Sequence, residues 1–64
     1  MNWTESDGVW SSGPWTIENT RPLAPQELDL RWNGQLVDWD RDVDRLKRMA
    51  DMYERFLEIV RESE

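Results

Sequence analysis

Four arginines, Arg41, Arg45, Arg48 and Arg55, stand at positions that project within about 80° of one another on a helix. Met52 and Ile59 fall among them and Phe56 beside them. Guanidinium groups mixed with large apolar side chains suit protein recognition, because the fork of an arginine meets a carboxylate bidentately while the apolar groups exclude water. A second set is acidic. Glu5, Asp7 and Glu18 occupy the first twenty positions with no basic neighbour, and Asp40, Asp44, Asp51 and Glu58 form a stripe next to the arginines. Fourteen acidic against eight basic residues give a net charge of −6. That charge opposes attraction to phosphate backbones and to anionic lipid, so direct nucleic-acid binding is disfavoured and no membrane partner is expected.

Other chemistries fail for want of residues. The chain has no histidine and no cysteine, which removes the usual nucleophile and base pairs, the usual zinc sites and any disulfide. No glycine-rich phosphate loop is present. Asp38, Asp40, Asp42 and Asp44 alternate like the start of a calcium loop, but the position that needs glycine is Val43 or Arg45, and the position that needs a bidentate glutamate is Met49 or Asp51. Acids at a helix start explain them better. No enzyme activity, no metal and no cofactor are expected.

The elements that must position these residues are few, because 64 residues make one domain, over residues 1–64, and a chain of this size buries only about 60% of its unfolded surface. Packing or a partner must stabilise it, and Trp3, Trp10, Trp15, Trp32 and Trp39 are the core material on hand. Residues 1–20 are rich in Trp, Thr, Val, Ser and Gly, which favours strands and turns. Trp3 belongs to a first short strand, and residues 9–17 to a second one bent or interrupted at Gly13-Pro14. Residues 19–26 form a proline-containing loop. Residues 27–32 alternate apolar with charged side chains, the pattern of a strand with one wet face, and Asn33-Gly34 supplies a type I′ turn before a brief return over residues 35–37. The expected fold is α+β: a small three-stranded antiparallel sheet in β-β-β-α order, with the meander over residues 1–37 and a long amphipathic helix over 38–62 capped at Asp38 or Asp40.

On that helix Trp39, Val43, Leu46, Ala50, Tyr53, Leu57 and Val60 recur at spacings of four and three and form the seam that covers the sheet. Asp44 with Arg48, and Asp51 with Arg55, are spaced to support it as ion pairs. Met49, Met52, Phe56 and Ile59 lie off the seam and widen the apolar arc to about 200°. A helix of about 23 residues spans roughly 34 Å, whereas three short strands offer about 15 Å by 20 Å, so the helix is expected to overhang. Arg41, Arg45, Arg48, Met52, Arg55, Phe56 and Ile59 are therefore the candidate partner-binding residues. Glu5, Asp7, Glu18, Asp40, Asp44, Asp51 and Glu58 are the candidate acidic surface.

The layout of Trp3, Trp10-Ser11-Ser12-Gly13-Pro14-Trp15-Thr16-Ile17, Leu30-Arg31-Trp32-Asn33-Gly34 and a charged helix resembles small strand-strand-helix accessory proteins of phages and prophages. That resemblance implies a small acidic module that binds and inhibits or modulates a host or defence protein that handles nucleic acid, imitating the charge of DNA. The helix here is longer and more acidic than such proteins need. Two other readings follow from the residues: an accessory protein that dimerises through its helix flank, and a single-strand binder using the arginines and a stacking Trp. With no basic and apolar leader, an intracellular, cytoplasmic location is expected.

Overall fold

A computed structural model describes residues 1–20, 23–24 and 26–62. Its elements run β1 (Thr4–Ser6), β2 (Val9–Ser12), β3 (Trp15–Glu18), β4 (Leu28–Trp32), β5 (Gln35–Asp40) and α1 (Val43–Glu62). The fold is α+β as expected, but the antiparallel sheet has five strands in the order β1-β2-β3-β4-β5 rather than three. Of the bend or interruption expected at Gly13-Pro14, the interruption is what forms, and it makes two strands of one. Gly13 takes φ 57 while proline fixes the next φ near −65°, the sign pattern of a II′ hairpin turn. Asn33 and Gly34, at φ 50 and 83, carry the positive angles that the I′ turn requires. The loop expected over residues 19–26 lies partly outside the described residues.

One face of the sheet holds Trp15, Ile17, Leu28, Leu30 and Trp32 in cross-strand pairs, Trp15 opposite Trp32 and Ile17 opposite Leu30. The helix lies over that face, and Trp15, Ile17, Leu30, Leu46 and Ala50 form the buried core, with Trp3, Trp10, Val37, Val43 and Met49 packed around it. Trp15 ties the layers together: its Nε1–H donates to Glu54 Oε1 at 2.8 Å, and its ring stacks on Tyr53 with centroids 6.0 Å apart.

The end of the sheet departs most from the sequence expectation. Arg31 pairs with Leu36 and Leu30 with Asp38, so Val37 is an extra residue on β5, a bulge. A bulge reverses the alternation that follows. Val37 stays with the core, Asp38 comes to the helix side, and Trp39 turns to the other face, opposite Asp29 and half exposed. Trp39 is thus not the first member of the helix seam, and the helix starts at Val43 instead of Asp38. Its cap is Asp42, whose Oδ1 accepts the Asp44 N–H at 2.9 Å and whose carbonyl accepts the first helical bond, from Leu46 at 3.2 Å.

The face away from the helix is also drier than alternation suggests. Asp29 is 2% exposed, where the Thr20 hydroxyl donates to its Oδ2 and Arg31 Nη2 stands 3.8 Å from the same oxygen. No helix among the described residues is long and apolar enough to cross a membrane. The molecule measures 43 × 19 × 19 Å, the long dimension fitting a helix of about 30 Å that projects past its sheet.

Candidate docking surface

Leu46 and Ala50 are the fully buried residues of α1, and beyond them the seam loosens to 39% exposure at Tyr53 and 40% at Val60. Sheet cover therefore ends near the middle of the helix. Past that point Met52, Phe56 and Ile59 are 70%, 64% and 63% exposed on one flank. A helix that must satisfy only its own backbone can run past its sheet without leaving orphaned polar groups, so nothing in the fold forces the chain to cover this flank.

Toward β5 the flank deepens into a groove of ≈ 390 Å³ lined by Met49, Met52, Tyr53, Phe56 and Asp38. The carboxylate of Asp38 is there because the Val37 bulge rotated it toward the helix. Its Oδ1 accepts the Trp39 N–H at 2.8 Å, which occupies an amide of the edge strand. On the opposite border stand Arg48 and Arg55, and Arg45 continues the stripe toward the start of the helix, all three exposed. Arg45 Nε approaches Asp40 Oδ2 at 3.6 Å. Among the described residues neither Arg48 nor Arg55 takes part in an ion pair, so the supports expected from Asp44 and Asp51 are not formed. Asp51 instead lies 3.9 Å from the Met1 ammonium. Arg41 is not on the helix at all; it sits in the turn before it and donates its N–H to Asp40 Oδ1 at 2.7 Å. Six of the seven candidate partner-binding residues are thus on one helix face, and Arg41 is apart from them.

The acidic residues do not converge in the same way. Glu5 turns back on its own hairpin, accepting the Gly8 N–H at 3.1 Å, and Asp7 forms that turn with φ 52. Glu18 pairs across the sheet with Asp29, on the face away from the helix. Asp44, Asp51 and Glu58 keep a stripe along α1 at intervals of seven. Asp40 ends β5, where the Asp42 N–H hydrogen bond holds its carboxyl below the ordinary value of 3.8; desolvation opposes this, and the Arg41 N–H and Arg45 charge reinforce it.

A second recess of ≈ 550 Å³ lies between the Gly13-Pro14 turn and Asp51, Glu54, Arg55 and Glu58. Its carboxylates are partly committed, Glu54 to Trp15 and Asp51 to the amino terminus. No group of three or more potential metal ligands is found among the described residues. Sequence reasoning missed Asp38 as a groove wall and Glu54 as the acceptor of a tryptophan. Neither carries a local signal, since one depends on a bulge and the other on a contact 39 residues away. Comparison with protein-family models, with curated proteins and with solved structures found no match.

Proposed function

We propose that this chain is a protein-binding module whose docking surface is the flank of α1. The observation that supports this is the exposure of Met52, Phe56 and Ile59, 63–70% each, on one face of a helix that outruns its sheet. Isolated apolar residues on a surface need no explanation, but a contiguous set rimmed by charge is the composition of an interface. The net charge of −6 favours a partner that presents basic surface elsewhere, and an inhibitor or modulator of a nucleic-acid-handling protein, as phage accessory proteins can be, fits that balance. In such a complex the Asp44, Asp51 and Glu58 stripe is the part of the acidic set that could follow a basic groove.

The test is affinity capture on three immobilised forms: wild type, Phe56→Asp with Ile59→Asp, and Asp44→Asn with Asp51→Asn and Glu58→Gln. The partner held by wild type is expected to be lost from the flank variant and to be held by the stripe variant with altered salt dependence. A partner retained by the flank variant would overturn the reading.

A further inference from the structure

Met49, Met52, Phe56 and Ile59 follow one another at spacings of three, four and three. That is the repeat by which one helix presents knobs to a second helix; Met49 leans on the core at the inner end of this seam, and Met52, Phe56 and Ile59 stand exposed beyond it. On this register Arg48 and Arg55 occupy one border, while Tyr53 and Val60 occupy the other, where Tyr53 lines the groove with Asp38. The two arginines are exposed and in no ion pair among the described residues.

We infer that the occupant of this face is an amphipathic helix of another protein, with an apolar seam and carboxylates along the edge that meets Arg48 and Arg55. The inference rests on the protein-binding reading and names the chemistry of the partner.

Two alternatives fit the face less well. A second copy in antiparallel two-fold pairing brings equivalent borders together, so Arg48 and Arg55 would meet the same two arginines, and each copy brings a charge of −6. In parallel pairing the same arginines meet Tyr53 and Val60, which supply no carboxylate. An extended segment added to the far end of the β5 edge is opposed by the Trp39 amide and by the Arg41 amide just beyond the strand, which already donate to Asp38 at 2.8 Å and Asp40 at 2.7 Å.

Two synthetic peptides test this, each about three heptads long with leucine at the seam positions, one bordered by glutamate and the other by lysine. Binding to the full chain is followed by fluorescence anisotropy, with sedimentation equilibrium of the chain alone. The glutamate peptide is expected to bind about tenfold more tightly, from two attractive pairs replacing two repulsive ones. Arg48→Glu with Arg55→Glu should reverse the order, and Phe56→Asp should remove binding of both. Equal binding of the two peptides, binding of neither, or a wild-type dimer that Phe56→Asp dissociates would each overturn the inference. Capture that depends on the flank but ignores the arginine reversal would remove this inference alone; capture indifferent to the flank would remove the protein-binding reading with it.

Discussion

At Trp15 three interactions meet: full burial between the layers, the stack on Tyr53 and the hydrogen bond to Glu54. Replacing it with phenylalanine keeps most of the apolar surface but leaves the half-buried Glu54 carboxylate without its indole donor. Trp15→Phe is expected to cost about 1–3 kcal/mol, read as a shift in the urea midpoint at unchanged slope. The turn before the helix makes a different residue-scale prediction. Because the Asp40 carboxyl is held below its ordinary value of 3.8, it contributes stability that is present above that value and is lost as pH falls through the lowered folded value. Asp40→Asn should therefore flatten the acid limb of the stability profile below about pH 4 and leave its shape near neutrality unchanged. Asp42→Ala, which removes the helix cap, should cost about 1 kcal/mol, read in the same denaturation series. The acids at the helix start were legible in sequence; which of them caps was not, because Asp38, Asp40 and Asp42 all precede a helical pattern and only the backbone path selects one.

At the scale of elements, alternation and turn chemistry read directly. Leu28, Leu30 and Trp32 share a face as their spacing requires, and Asn33-Gly34 turns the chain as its residues allow. Gly13-Pro14 was harder, since the same dipeptide serves a bend within a strand or a turn between two, and pairing partners decide between them. The Val37 bulge was not legible, because the extra residue exists only relative to β4. One inserted residue moves Trp39 off the helix side and brings Asp38 onto it. The helix itself divides into a covered and an uncovered part, and hydrogen exchange should show it: amides near Leu46 and Ala50 protected to nearly the global limit, amides from about Glu58 onward exchanging by local opening of the last turns. Uniform protection to Glu62 would contradict the described packing.

For the whole molecule, length and charge set the terms. The excess of six negative charges spread over a surface of 4845 Å² repels itself, so raising ionic strength from about 0.01 M to about 0.15 M should raise the melting temperature. A fall would mean that the native ion pairs outweigh the net repulsion. Phe56→Asp with Ile59→Asp should change stability by only about 0.5 kcal/mol, because both side chains are mostly exposed, while Leu46→Ala should cost about 2–5 kcal/mol, a large part of what so small a domain holds. Thermal melts of the two variants side by side separate the interface from the core.

The sequence by itself determined an α+β chain of antiparallel strands followed by one amphipathic helix, the absence of histidine and cysteine chemistry, and an apolar arc on the helix wider than one sheet can cover. These depend on residue type and on the periods of two and 3.6, which are local. Tertiary structure alone decided the five-strand count, the outward turn of Trp39, the groove wall at Asp38, the buried Asp29 and, among the described residues, the two arginines left out of ion pairs. Each of those depends on which strand lies beside which and in what register, and register is set by distant parts of the chain packing together, not by any segment read alone.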